Sequence, residues 1–261
     1  MEQVFRKLKD YERRIEALER LEFNQWTGVI SHFLGLPGLR GFWPMSAFDG
    51  SGNIADISGN GNSLTRAGNP TFNYGGLMTY VDLDGTGDYY YHADSANFDI
   101  LGTEGHVASA KRGLTFGSLF NPDQATPAAN EVLISKTSST AADSAYTIYR
   151  DTSGIFYGRI YNSSSFVTAT GIALSEQWVL AVCRFNPSTE ISIYLNGTWY
   201  PNTTSIPASI NNSSAQFKIG DGGSGGSYFD GKVSLSFLCA TYLSDDIISS
   251  LYQTSRKLPG V

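Results

Sequence analysis

Charge is scarce in this chain, and cysteine and histidine are scarcer still. Of 261 residues only 16% are charged, two are cysteines and three are histidines. Cys183 sits in the apolar run WVLAVCRF and Cys239 in VSLSFLCA, so both read as free, buried core residues on strands rather than as metal ligands. His32, His92 and His106 are scattered, and no Gly-x-Ser-x-Gly turn occurs, which leaves nucleophilic catalysis without its parts. No apolar stretch approaches the roughly 20 residues that cross a membrane. The opening MEQVFRKLKD lacks the apolar core of a secretory signal, so neither membrane insertion nor export is expected. Positive charge is short too: a net charge of −6 and a pI near 5.0 argue against a nucleic-acid partner, which requires a basic face.

Paired catalytic acids are also missing. A glycosidase needs two carboxylates about 5 to 10 Å apart across one bond. Here Glu131, Glu176 and Glu190 stand alone, Glu-x-Asp-x-x-Glu does not occur, and the adjacent Asp245 and Asp246 are explained by helix capping. No catalytic residue is assigned.

What is present points to an all-β domain. Glycine occurs 28 times, 13% of residues are aromatic and 41% hydrophobic, which suffices for a real core of short strands joined by tight turns. From Gly41 onward, runs such as TYVDLDG, YYYHAD, EVLISK, AYTIYRD, IFYGRIY, WVLAVCRF, EISIYLNG, AQFKIGD and KVSLSFL alternate with Gly, Asn, Asp and Ser clusters. Asn196-Gly197 predicts a two-residue hairpin turn, because both central positions need positive φ. Near the end, Ser244 is placed to cap a short helix with Asp245 and Asp246 in its first turn and Ile247, Ile248 and Leu251 on its apolar face.

Residues 1–22 read differently. Val4, Leu8, Tyr11, Ile15 and Leu18 recur at spacings of four and three, the apolar seam of a coiled coil. Leu8 and Ile15 take position a, and Val4, Tyr11 and Leu18 take d. Lys7 and Arg14 then fall at g, opposite in sign to Glu12 and Glu19 at e. The run from Arg14 to Glu19 resembles the short trimerisation motif of parallel coiled coils, in which an Arg packs its stem on the seam and reaches a neighbour's Glu. An amphipathic helix folded back on its own domain is the alternative. Residues 23–40, interrupted by Gly28, Gly35, Pro37 and Gly38, read as an apolar connector covered by a neighbouring chain or a particle scaffold.

Five motifs in residues 41 to 256 resemble the laminin-G-like, concanavalin A-like jelly-roll family, over four-fifths of the chain. Asp56-Ile57-Ser58-Gly59-Asn60-Gly61-Asn62 resembles its Asp-x-Ser-Gly-Asn-Gly-Asn turn. Leu83-Asp84-Gly85 with Asp88-Tyr89 resembles its Phe-Asp-Gly and Asp-Tyr. Trp178 before Val179 to Cys183 sits where the family has Trp-x-x-Val-Ala, Tyr194-Leu195-Asn196-Gly197 resembles its hairpin, and Tyr242 to Tyr252 its closing helix. The run GKVSLSFLC departs from the family's Gly-x-Ile-Asp-Asp-Val-Arg, so the acidic and basic pair usual there is gone.

The resemblance implies a two-sheet antiparallel jelly-roll sandwich over residues 41–261, behind an N-terminal coiled-coil helix, with binding at its rim or faces and no enzymatic activity. Trp199, Tyr200, Tyr157 and Tyr161 are the candidate sugar-stacking rings, with Trp199 expected to be the exposed one. No cofactor is required. Calcium is the one ion the loops suggest, with Asp56 and Asn60 as first ligands, although tight turns need the same residue types. A trimeric coiled coil before such a domain also resembles components of bacteriophage particles. That likeness implies a homotrimer on the virion surface, docked to other virion proteins by helix and connector and binding host surface glycans. A purely structural capsid or tail role is the alternative, and a polysaccharide hydrolase is the third. Ile15→Asp places three charges in the seam and is expected to cost several kcal/mol per site, enough to dissociate the trimer in light scattering. Trimers that survive the change refute the register.

Overall fold

The computed structural model describes residues 9, 13, 23–46, 48–75, 78–103, 112–174, 177–223 and 226–258. The seam and trimerisation positions Val4, Leu8, Tyr11, Arg14, Ile15, Leu18 and Glu19 lie outside the described residues. Among those described, the β-branched and aromatic runs form fifteen antiparallel strands in two sheets, the jelly-roll sandwich that the sequence implies. The eight-stranded sheet has the order β13 (Thr198–Asn202), β12 (Glu190–Leu195), β11 (Val179–Asn186), β6 (Leu114–Pro122), β15 (Asp230–Cys239), β4 (Met78–Asp84) and β3 (Thr71–Gly75), with β1 (Leu39–Trp43) also on β15. The seven-stranded sheet has the order β10 (Ser165–Ala173), β9 (Ile155–Asn162), β8 (Tyr146–Arg150), β7 (Glu131–Lys136), β14 (Phe217–Ile219), β5 (Tyr89–His92) and β2 (Thr65–Ala67).

Alternation sorts the side chains. On β9, Phe156, Gly158 and Ile160 are buried while Tyr157, Arg159 and Tyr161 stay partly exposed on the other face. Between the sheets, Trp43, Phe98 and Phe217 stack with centroids 4.7 to 6.2 Å apart, and Phe116, Phe156, Phe185 and Ile193 complete the layer. Gly158 is required there, because a Cβ would sit 2.6 Å from the Sγ of Cys183 on the facing sheet.

The outer faces of the two sheets differ. Strand β11 is buried along seven of its eight residues, on both faces, because a second apolar layer covers the outside of its sheet. Leu180, Val182, Tyr194, Leu235 and Phe237 supply the sheet side of that layer. Helix α1 (residues 23–34) adds Val29 and Phe33, and helix α2 (Asp245–Ser255) adds Ile248 and Leu251. The Phe33 ring stacks on Phe42 at 4.9 Å and meets the edge of Phe237 at 5.4 Å. Residues 23–34 are thus helical and lie on their own sheet, where the sequence reading has an irregular connector covered by a neighbour. The physical reason is a spacing of Trp26, Val29, Ile30 and Phe33 that gives a helix one apolar side despite Gly28.

Cys183 and Cys239 are free and buried, one in the inner layer and one in the outer, and burial pushes both thiols well above their ordinary range. The Asn-Gly hairpin forms as expected, with φ of 44° at Asn196 and 109° at Gly197. Ser244 does occupy the N-cap position of α2, but its side chain makes no capping hydrogen bond. A bulge in β15 between Ser234 and Phe237, with Leu235 at φ 49°, turns Leu235 and Phe237 toward the helices while Val233 and Leu238 face the inner core. This bulge occupies the stretch where the sequence departs from the family pattern. Phe33→Ala should remove about 3 to 5 kcal/mol of stability in urea unfolding. The loss should persist in the Ile15→Asp background, since the helix covers its own sheet. A loss that vanishes once subunits separate would assign the helix to a neighbour.

Candidate ligand-binding site

The uncovered outer face of the seven-stranded sheet carries a cluster of rings. Tyr149 on β8 is the register partner of Tyr157 on β9, and their rings stack at 4.9 Å and 13°. Tyr161 pairs in register with Phe166 on β10, edge to face at 5.9 Å. Arg159 lies between the two pairs, its guanidinium carbon 4.0 Å from the Phe166 centroid and 4.7 Å from that of Tyr149. Its Nε donates to Thr168 Oγ1 at 3.0 Å and its Nη2 donates to the Tyr149 hydroxyl. Its Nη1 donates to no acceptor among the described residues.

The phenols differ in role, Tyr149 accepting from Arg159 and Tyr157 donating. Tyr157 donates to Asp151 Oδ2 at 3.0 Å, and burial with that hydrogen bond raises its pKa. Burial also raises Tyr149, against the pull of Arg159. Beside them a depression of about 140 Å³ lies between Tyr149, Arg159 and Tyr161 on one side and Gly222, Gly223 and Ser227 on the other. Phe166 is 53% exposed, an open apolar face at the end of the cluster. Open rings beside a guanidinium can stack on the apolar face of a sugar and donate to its hydroxyls.

Tyr157 and Tyr161 are therefore brought together, and Trp199 and Tyr200 lie elsewhere. Both of the latter are on β13 at the edge of the other sheet. Trp199 is not the exposed ring that the sequence suggests: the guanidinium of Arg184 covers it at 3.6 Å and Tyr194 packs on it at 4.8 Å. Tyr200 points the other way and packs, half-buried, against the inner core. The sequence reading missed Tyr149, Arg159 and Phe166. Alternation along AYTIYRD and IFYGRIY carried the first two, while β10 has no apolar run to announce it.

Asp56 and Asn60 build a turn. Asp56 Oδ1 accepts from the amides of Phe42 at 3.0 Å and Ser58 at 2.9 Å, and Oδ2 accepts from Asn62 at 3.0 Å. Asn60 Nδ2 donates to the Leu39 carbonyl at 3.0 Å. Among the described residues no group of three or more His, Cys, Asp or Glu side chains is arranged to hold a metal.

Of the isolated acids, Glu131 pairs with Arg150 at 2.5 Å and Glu190 with Arg184 at 3.4 Å, while Glu176 lies outside the described residues. Asp245, read as a helix-dipole partner, also pairs with Arg184. A cleft that the sequence reading missed gathers Asp82, Asp84, Asp88, Asp123 and Asp230 around about 290 Å³. Partial burial raises Asp82, and hydrogen bonds from Thr86 lower Asp84. Most of these carboxylates have local duties: Asp88 accepts from the Asn69 amide at 2.6 Å, Asp123 pairs with Lys232 at 2.5 Å and Asp230 accepts from Gln124 at 2.5 Å. No aromatic side chain among the described residues lines this cleft.

Comparisons with known proteins follow the fold. No curated protein matches the chain. The binding domain of Paraclostridial Mosquitocidal Protein 1 superposes with a TM-score of 0.66 at 11% identity, covering 84% of this chain and 52% of that one. The botulinum neurotoxin serotype G binding domain gives 0.63 at 12% identity, over 83% and 51%. A botulinum neurotoxin type C structure, described as entering cells through interaction with two ganglioside molecules, gives 0.61 at 11%, over 86% and 52%. The chain spans about half the length of these domains, and at such identity the likeness is one of fold. A family model described as the concanavalin A-like lectin/glucanases superfamily matches residues 84–244, more than half of the chain. With two antiparallel sheets and that match running through strands of both, the chain belongs to the concanavalin A-like lectin and glucanase superfamily.

Proposed function

We propose that this chain is a glycan-binding module, presented in three copies by its N-terminal helix on the surface of a bacteriophage particle. The observation that carries the reading is the row of partly exposed Tyr149, Tyr157 and Tyr161 with exposed Phe166 around Arg159, on the sheet face that the helices leave uncovered. Apolar rings kept in water are costly unless they have a partner, and a guanidinium held between them can donate hydrogen bonds to the hydroxyl groups of a sugar stacked there. Gly222, Gly223 and Ser227 then line one wall of the binding depression.

The heptad seam of residues 4 to 18 supports the trimer. Linking three weak sites can raise avidity by about 10²-fold or more, so a single millimolar sugar site is sufficient. Particle partners would be contacted through the segment ahead of the sandwich. Binding of this kind needs no cofactor and no bound metal, and the acidic cleft lacks the stacking rings that would hold a sugar chain for hydrolysis. One neighbour of the same fold is described through its interaction with gangliosides, which are sugar-bearing ligands, although the match covers only half of that domain.

A glycan array probed with the intact protein is expected to show binding to bacterial surface saccharides. Phe166→Ala and Tyr157→Ala should each weaken it about tenfold, the loss of one stacking contact of roughly 1 to 1.5 kcal/mol. An array with no hits would leave a structural role as capsid or tail stabiliser. Release of reducing ends from any hit would make the protein a hydrolase.

A further inference from the structure

A larger cavity lies on the opposite side of the molecule, where α2 ends against the Asn-Gly hairpin. It encloses about 430 Å³ between Leu119, Trp178, Asn196, Tyr252, Arg256 and Lys257, within the usual range for small-ligand sites. Its walls are fixed in advance. The Asn196 side chain donates to the Trp178 carbonyl at 3.0 Å and accepts from the Leu180 amide at 2.8 Å. Trp178 packs edge-on against Tyr80 at 5.6 Å, and Tyr252 against Tyr194 at 6.0 Å.

Two cations stand at the rim of this cavity. Lys136, Arg150, Arg184, Lys218 and Lys232 are each matched to a carboxylate within 4 Å. Arg256 and Lys257 are exposed at the rim and have no carboxylate partner among the described residues. The negative end of the α2 dipole accounts for cations at that place. It does not account for an open cavity walled by an indole and a phenol beneath them. The Arg256 guanidinium lies 5.7 Å from the Tyr252 centroid, and with Lys257 beside it makes a local positive spot over two aromatic walls in a chain of net charge −6.

We propose that this cavity is a second saccharide site, independent of the tyrosine face, that takes a sugar ring bearing an anionic group, either a uronate carboxylate or a phosphate. Trp178 and Tyr252 meet the ring, and Arg256 and Lys257 meet the anion through charge-assisted hydrogen bonds.

The test uses the full chain labelled with nitrogen-15 and follows the indole N–H signal of Trp178, assigned with Trp178→Phe. The probes are methyl β-glucuronide, its uncharged counterpart methyl β-glucoside, and glucose 6-phosphate. The glucuronide, the phosphate or both should shift the signal saturably, with a Kd on the order of 1 mM for a ligand of this size. A shift by one alone identifies the source of the anion. The double variant Arg256→Gln with Lys257→Gln, at exposed positions, should weaken that binding about tenfold or more while other signals stay in place. The proposal is overturned if the glucoside binds as well as the charged sugars, if none moves the signal, or if the double variant retains full affinity.

Discussion

An antiparallel sheet with apolar residues on both faces must be covered on both, and that requirement organises this molecule. In the eight-stranded sheet the inner face meets the other sheet, while Leu180, Val182, Tyr194, Leu235 and Phe237 make the outer face equally apolar. Water cannot cover such a surface without cost, at roughly 25 cal/mol per Å² of apolar area. Helices α1 and α2 cover it instead. The seven-stranded sheet has Tyr149, Tyr157, Arg159, Tyr161 and Lys218 on its outer face and stays open. The location of the candidate site follows from which sheet the helices had to cover.

The same requirement separates what was legible in the sequence from what was not. The strands were legible where alternation or a continuous apolar run marked them, as in IFYGRIY and WVLAVCRF. Strand β10 escaped, because Ser165, Thr168 and Thr170 dilute its pattern and it forms the sheet edge. Helix α1 was hidden by Gly28, which costs about 1 kcal/mol in a helix interior and suggests a break. The apolar layer under Val29 and Phe33 outweighs that cost. Trp199 was misplaced for another reason: a ring at a hairpin reads as exposed, and only the fold brings Arg184 over it. Tyr157 and Tyr161 were found because alternation put them on one side of β9. Their partner Phe166 is set by strand pairing, and pairing is a long-range fact.

Charge follows a similar division. The interior cations are paired at close range, most fully Lys136, whose ammonium donates to Asp94 at 2.5 Å and to the carbonyls of Ser213 and Ala215 at 2.6 and 2.9 Å. A buried charge without such partners would cost several kcal/mol. Matching of this kind turns Glu131 and Glu190, the acids that a sequence search for catalysis notices first, into structural partners of arginines. Arg159 differs, being held by aromatic faces and keeping part of its donor set free.

Helix α1 also limits how subunits can associate. Continuing the heptad from Leu8 and Ile15 puts Glu22 and Val29 at position a and Gln25 at d. Val29 is 2% exposed and faces its own sheet, so it cannot also face a neighbouring helix. The polar Glu22 and Gln25 stand at the change from one role to the other. An apolar seam that ends at Leu18, followed by a helix committed to its own sandwich from Val29, separates the two tasks along one stretch of chain. Phe23, 70% exposed, and Leu34, 43% exposed, remain outside the intramolecular contact. A heptad contact through Val29 is therefore closed to a neighbouring helix.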